Sequence, residues 1–125
     1  MKKGFMIMLA AMLLLTGCAG KKAGYTRISQ EEARQRMNRE GVVILDVREA
    51  SEFAEGHIPG AVLLPVGTIT GDTAAAVIPD FDTEVLVYCR SGNRSQTASD
   101  ALAGLGYRNV YEFGGIRTWP YEIVS

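Results

Sequence analysis

The sequence is poor in the residues that build metal sites, disulfides and dithiol redox centres. Its 125 residues include one histidine and two cysteines, which lie too far apart to form a zinc-ligand cluster or a Cys-x-x-Cys pair. A formal net charge of -1 provides no basic surplus for binding a phosphate backbone. We therefore expect one small domain without metal, without a nucleic-acid partner and without thioredoxin-like chemistry.

Long hydrophobic runs are missing as well. The longest, residues 5–15, has 11 residues, whereas a membrane-spanning helix needs about 20. Because Lys2 and Lys3 precede this run, it is typical of a secretory signal peptide. The sequence LTGC at residues 15–18 resembles the lipobox of bacterial lipoproteins, in which the cysteine is lipidated, so Cys18 is the predicted membrane anchor.

These features divide the chain into three segments. We expect a lipoprotein signal peptide over residues 1–17, a lipidated cysteine and tether over residues 18–25, and a folded domain over residues 26–125. Residue 19 is alanine and not the aspartate that retains lipoproteins in the inner membrane of enteric bacteria. The resemblance therefore implies an exported protein of the cell envelope, on the periplasmic side of the outer membrane if the organism is Gram-negative.

Strand-like and helical patterns alternate through the predicted domain. The predicted strands cover residues 42–47, 61–64, 85–88 and 109–113. The first predicted helix begins with a capping box of Ser29 and Glu32 and stops at Gly41. Further helices are predicted over residues 50–55, over residues 69–78, and from about Ser95 to Gly104 or Gly106. Strands that alternate with helices at these lengths predict an α/β fold with a mainly parallel sheet and helices on both faces. Ligands bind such sheets at the carboxyl ends of the strands.

Cys89 lies at one such strand end, before a loop that contains Gly92 and a helix that begins near Ser95. Gly92 allows backbone conformations that turn N–H groups inward as an anion-binding nest. Those amides, the helix N-terminus and the cations Arg90 and Arg94 all favour a nucleophilic thiolate. Ser95 is expected to cap the helix or to donate a hydrogen bond to the sulfur.

Several short motifs, in this order along the chain, resemble those of the rhodanese family of sulfurtransferases. They are LDVR at residues 45–48, EF at 52–53, GHIPGA at 56–61, VYCRSGNRS at 87–95 and GGIRTW at 114–119. The resemblance implies a three-layer α/β fold in which Cys89 accepts a sulfane sulfur from a donor such as thiosulfate, forms a persulfide and passes the outer sulfur to cyanide or a thiol. It also implies that inward backbone amides of residues 89–94 hold the outer sulfur, and that the reaction needs neither metal nor organic cofactor.

The resemblance extends to residues that bind substrate or support the loop. The predicted substrate-binding residues are Arg90, Ser91, Gly92, Asn93, Arg94 and Ser95. Asp46 and Arg48 follow the neighbouring strand, where we expect them to hold each other and the loop in place. His57 stands in a Gly-His-Ile-Pro-Gly turn, which it is expected to fix by hydrogen bonding, and Trp119 and Phe53 are expected to pack in the core.

Two other functions remain open from the sequence. A phosphatase or arsenate reductase of related fold typically has five residues between its cysteine and arginine, whereas Cys89 and Arg94 enclose four. A non-catalytic module that binds sulfur or relays a persulfide to a protein partner would keep the same cysteine. Repeated turnover distinguishes an enzyme from a carrier, and the sequence identifies neither the physiological donor and acceptor nor a protein partner.

Overall fold

A six-stranded sheet organises residues 21–22 and 24–125, which are those that the computed structural model describes. The predicted signal peptide and Cys18 lie outside the described residues. The strand order is β1-β2-β6-β5-β3-β4, and β1 alone runs antiparallel to its neighbour. The strands are β1 Lys21–Lys22, β2 Tyr25–Arg27, β3 Val43–Asp46, β4 Val62–Leu63, β5 Glu84–Cys89 and β6 Asn109–Gly115.

Helices cover both faces of this sheet. They are α1 Gln30–Arg36, α2 Ala50–Glu55, α3 Gly71–Val77 and α4 Asn93–Leu105, with 3-10 turns at Val66–Thr68 and Ile116–Thr118. One buried cluster joins α3 and α4 to the sheet through Ala74, Ala98 and Leu102. A second joins α1 and the C-terminal segment to the other face through Ala33 and Trp119. The predicted three-layer α/β fold with a mainly parallel sheet is therefore confirmed.

Local capping residues explain where the short helices begin. The Ser29 side chain accepts a hydrogen bond of 3.0 Å from the Glu32 amide at the start of α1, as predicted. The Glu32 carboxylate does not return the bond, because it binds Arg36 at 2.9 Å. At α2, Glu49 and Glu52 form a reciprocal capping box.

The largest departure from the sequence prediction is at the N-terminal edge of the sheet. The tether expected over residues 18–25 overlaps β1 and the start of β2, where Lys21 pairs with Thr26 and Lys22 with Tyr25. β2 in turn pairs with β6, and the Tyr25 side chain is buried in the core. The sheet therefore begins before residue 26, because tertiary pairing orders a segment with little strand pattern of its own.

Three helices differ from prediction in their boundaries. The first, expected to stop at Gly41, ends at Arg36. The helix expected over residues 69–78 is shorter, Gly71–Val77, and the 3-10 turn Val66–Thr68 precedes it. The helix expected near Ser95 begins at Asn93, directly after Gly92. No helix among the described residues has the length and apolar character that crossing a membrane requires.

Candidate active site

Three strands bring their last residues together at the carboxyl edge of the sheet. Cys89 ends β5, Gly115 ends β6, and Asp46 ends β3. A bulge between Val87 and Cys89 shifts the register so that Cys89 pairs with Gly115. The loop from β5 to α4 therefore starts beside the glycine turn at the end of β6.

The Cys89 sulfur is covered by the loop that follows it. The residue is 1% exposed, and its Sγ accepts a hydrogen bond of 3.0 Å from the Gly92 amide. Gly92 has φ 109°, a left-handed conformation that disfavours any side chain, and this conformation turns its N–H back toward the sulfur. The expectation that amides of residues 89–94 hold an outer persulfide sulfur stays a prediction, because the free thiol lacks that atom.

Ser95 lies on the other side of the sulfur, in the first turn of α4. Its Oγ is 3.5 Å from Cys89 Sγ and is fully buried with the rest of the side chain. The same oxygen lies 3.0 Å from the Gly92 carbonyl, so Ser95 also closes the turn that holds the Gly92 amide in place. Gly92 and not Ser95 is the N-cap of α4, and the Cys89 thiol here donates to Ser95 Oγ, so donation from Ser95 to a sulfur anion stays a prediction.

Glu112 is the site residue that the sequence prediction missed. It lies on β6 with a fully buried side chain, and its Oε2 accepts bonds of 2.6 Å from Ser95 Oγ and 2.9 Å from the Gly114 amide. Its Oε1 lies 3.2 Å from Arg27 Nε. The available signal was an acidic residue in the middle of the apolar strand pattern of residues 109–113.

The guanidinium of Arg94 is already engaged by a carboxylate. Its two terminal nitrogens bind the two oxygens of Glu52 at 2.8 and 3.0 Å. This hydrogen bonding raises the pKa of Arg94 and lowers the pKa of Glu52 from 4.5 to about 2. Arg94 thus stands at the loop as half of an ion pair from α4 to α2, and direct anion contact by Arg94 stays a prediction.

The remaining predicted substrate-binding residues are exposed. Arg90, Ser91 and Asn93 all project from the loop surface. The Arg90 carbonyl accepts a hydrogen bond of 3.1 Å from the Arg117 amide, and the Arg117 side chain is exposed beside it. Two cationic side chains therefore flank the loop without contributing to its internal packing.

Asp46 and Arg48 form the predicted ion pair. Arg48 Nη2 lies 2.7 Å from Asp46 Oδ2, and Tyr88 donates a bond of 2.7 Å to the same oxygen. Tyr88 also accepts a bond of 3.1 Å from the Ile58 amide, so the cluster joins β3, β5 and the loop before β4. Burial is the largest single effect and lowers the pKa of Arg48, but the hydrogen bond and the charge of Asp46, with the smaller contributions of Tyr88 and Glu52, together outweigh burial and raise this pKa.

This cluster lies on the opposite face of the sheet from the sulfur, because Tyr88 packs in the core cluster with Ala33 and Trp119, and Cys89 in the cluster with Ala74 and Leu102. Burial, followed by the hydrogen bond to Asp46, raises the pKa of Tyr88 well above its usual value. The phenol therefore stays neutral while it bridges the strands. Asp46 and Arg48 contact the strand that carries Cys89, and their support of the loop stays a prediction.

The histidine and the two aromatics have structural contacts, but only Trp119 packs in the core as predicted; Phe53 is half-buried outside both core clusters, because its ring stacks on His57. His57 Nδ1 lies 2.8 Å from the Phe53 carbonyl, and the two rings stack with centroids 3.7 Å apart. The His57 backbone forms a bridge with Val124. Trp119 is buried in the core beneath α1, beside a groove of about 380 Å³ that does not include Cys89.

Comparisons with known proteins agree with this geometry. The family model described as "Rhodanese-like domain" matches residues 29–121. The thiosulfate sulfurtransferase GlpE of Pseudomonas putida is 38% identical over 96 residues, which cover 76% of this chain and 84% of that protein. A mitochondrial protein of Schizosaccharomyces pombe is 42% identical over 94 residues, or 66% of each chain. A solved structure described as a rhodanese with anions from E. coli has a TM-score of 0.62 and 29% identity, and covers 66% of this chain and 96% of that one.

Proposed function

The chain belongs to the rhodanese-like domain family and is an enzyme of the thiosulfate sulfurtransferase type, and from this premise we propose that it transfers sulfur through a persulfide on Cys89. The donor in this proposal is thiosulfate or a similar sulfane-sulfur anion, and the acceptor is cyanide or a thiol. The observation that carries the proposal is the 3.0 Å hydrogen bond from the Gly92 amide to Cys89 Sγ at the N-terminus of α4.

The proposed first half-reaction loads the enzyme. The Cys89 thiolate attacks the outer sulfur of thiosulfate, a new sulfur–sulfur bond forms, the old one breaks, and sulfite leaves with the bonding electron pair. The Gly92 amide and the N-terminal turn of the 13-residue helix α4 stabilise negative charge on sulfur. The exposed guanidiniums of Arg90 and Arg117 attract the dianionic donor to the loop.

The proposed second half-reaction transfers the outer sulfur from Cys89 to the acceptor. The carbon of cyanide, or the sulfur of a thiolate acceptor, attacks the outer sulfur of the persulfide and releases the Cys89 thiolate. The products are thiocyanate or a new persulfide, and no electrons are gained or lost overall. Because Cys89 is 1% exposed, we expect residues 90–92 to move outward when donor or acceptor reaches the sulfur.

The test uses the two cysteines of the chain as a matched pair. Full-length protein treated with thiosulfate should gain the mass of one sulfur on Cys89, and cyanide should remove it. Cys89→Ser should lower thiocyanate formation at least about 100-fold, while Cys18→Ser in detergent should keep it. Absence of the adduct, or unchanged turnover in Cys89→Ser, would refute the proposal.

Repeated turnover separates the enzyme from a sulfur carrier. Many thiocyanate molecules per protein molecule are expected, whereas a carrier would stop after one. The phosphatase alternative is disfavoured because Glu52 engages both terminal nitrogens of Arg94. Hydrolysis of an aryl phosphate that depends on Cys89 would instead support it.

We further propose that Cys18 anchors the protein in the cell envelope with the Cys89 loop near the lipid. β1 runs antiparallel to β2, so the backbone of its first residue, Lys21, is at the end of β1 nearer the carboxyl edge of the parallel strands, where Cys89 lies. The three steps from Cys18 to Lys21 span at most ~10 Å. Palmitate labelling of the full chain that disappears in Cys18→Ser is expected, and labelling that persists would contradict the anchor.

A further inference from the structure

A continuous chain of buried polar groups leads from the Cys89 sulfur to Glu112, and the persulfide reaction makes no direct use of Glu112. The chain consists of Cys89 Sγ, Ser95 Oγ and Glu112 Oε2, with separations of 3.5 and 2.6 Å. All three residues are at most 1% exposed. We propose that Glu112 is a positioning residue that, through Ser95, holds the proton of the Cys89 thiol; the proposal rests on Cys89 being the nucleophile.

The hydrogen bonds of Ser95 define the direction of the chain. Its hydroxyl has one hydrogen but three acceptors within reach: Glu112 Oε2 at 2.6 Å, the Gly92 carbonyl at 3.0 Å and the Gly114 carbonyl at 3.3 Å. The bond to the carboxylate is the shortest, and charge-assisted bonds are the strongest. With the hydrogen on that bond, the oxygen offers a lone pair to Cys89, and the thiol donates its own hydrogen to Ser95.

Cys89 Sγ, Ser95 Oγ and Glu112 Oε2 stay hydrogen-bonded to one another after one proton shift. The thiol proton passes to Ser95 Oγ while the Ser95 hydrogen passes to Glu112 Oε2. The carboxylic acid then donates to Ser95, and Ser95 donates to the thiolate. Together with the Gly92 amide, the sulfur anion then accepts two hydrogen bonds.

Charge favours a shift inside the chain over loss of the proton to water. Loss to water would leave two negative groups buried close together, and burying like charges is costly. The internal shift keeps a single negative charge and moves it from Glu112 to Cys89. Arg27, 3.2 Å from Glu112 Oε1, neutralises that charge most strongly while it sits on the carboxylate.

The charged and titratable neighbours do not titrate in the same range. From β2, Arg27 contributes its guanidinium 3.2 Å from Glu112 Oε1, and burial raises the pKa of Tyr25, so Tyr25 stays neutral. From α4, the pKa of Arg94 is raised by Glu52, whose own pKa is about 2. Asp100, also on α4, is exposed and serves as the matched control.

The test measures how the rate of Cys89 alkylation by iodoacetamide depends on pH. It uses full-length protein with Cys18→Ser, so that Cys89 is the sole thiol. Two coupled groups that share one proton give a pH range in which the thiolate fraction is constant. A plot of alkylation rate against pH should therefore rise in two steps separated by a plateau, here called the shelf. Glu112→Gln should remove the shelf and leave one step, with about a tenfold change per pH unit below its midpoint. Asp100→Asn should keep the shelf.

A second variant tests the proposal even if Glu112→Gln fails to fold. Arg27 is 54% exposed on β2, and β6 separates β2 from β5, so the guanidinium lies nearer to Glu112 than to Cys89. Arg27→Gln should favour the protonated carboxyl and raise the alkylation rate on the shelf several-fold. A single-step profile in the unchanged protein, or a lower shelf in Arg27→Gln, would overturn the proposal. Neither outcome depends on thiocyanate formation. Failure of the sulfurtransferase mechanism would instead appear as unchanged thiocyanate formation in Cys89→Ser, so the two proposals are tested separately.

Discussion

Gly115→Ala is the most direct test of whether the loop after Cys89 packs against the end of β6. Gly115 ends β6 directly against the first residues after Cys89. A methyl group added at Gly115 would lie 2.6 Å from the Ser91 amide nitrogen and nearer still to the carbonyl group of Arg90. All of these are backbone atoms, so no side chain can rotate away to make room.

The expected size of the effect follows from that overlap. An ordinary van der Waals contact needs well over 3 Å, so the backbone of residues 90–91 must move by about 1 Å in Gly115→Ala. Overpacking of this kind costs about 1–3 kcal/mol of unfolding free energy. A displacement of about 1 Å next to a nucleophile can cost about 100-fold in rate. We therefore expect thiocyanate formation to fall about 100-fold in protein that is still folded well below its Tm.

Gly104 provides the matched control. It lies in α4, and a methyl group added there meets nothing within 4 Å. Gly104→Ala should raise the unfolding free energy by about 0.5–1 kcal/mol, because alanine favours the helix, and should leave kcat/KM unchanged. Urea denaturation and the thiosulfate–cyanide assay measure both effects. Wild-type kcat/KM and Tm in Gly115→Ala would refute the argument that the loop rests on this glycine.

Three further predictions follow from the polar clusters and the loop turn. Glu52→Gln should lower the unfolding free energy by about 1 kcal/mol above pH ~5. This difference in unfolding free energy should vanish as the pH falls from the unfolded pKa of 4.5 toward the folded pKa of about 2, because the stability that comes from a lowered pKa is lost when the carboxylate is protonated. A difference between the two proteins that stays constant with pH in acid denaturation would contradict the ion pair. Tyr88→Phe should cost about 1–3 kcal/mol, because it leaves the Ile58 amide unbonded, yet keep kcat per folded molecule. Gly92→Ala should slow Cys89 alkylation by straining φ 109°, and an unchanged rate would argue against the Gly92–sulfur bond.

Local signals in the sequence predicted much of the fold. The helix expected over residues 50–55 is found as α2 Ala50–Glu55, because Glu49 and Glu52 form a capping box within one turn. The apolar run before Cys89 predicted a central strand, and β5 has neighbours on both sides. These features depend on residues close in sequence, which is why pattern alone identifies them.

Other features depend on distant residues and could not be predicted in this way. β1 and β2 exist because β2 pairs with β6, and nothing within residues 21–27 indicates that partner. Glu112 reads as one acidic residue in a strand until the fold brings Ser95 and Arg27 to its two oxygens. The loop sequence predicted a thiolate-stabilising turn, but the 1% exposure of Cys89 arises from packing of the whole sheet edge.

The burial of Cys89 bears on how an unpaired thiol would persist in the proposed exported location. An oxidising compartment favours disulfides, and exchange requires that a second sulfur approach the thiolate in line. At 1% exposure, Cys89 is shielded from such partners in the resting loop conformation. If Glu112 also keeps the thiol protonated part of the time, reactivity depends on both a proton shift and a loop movement. In the proposed mechanism a small anion reaches the sulfur after residues 90–92 move outward, whereas a folded protein thiol needs a larger displacement of the loop. The proposed mechanism therefore gives protection of the sulfur and selection of a small donor the same structural cause.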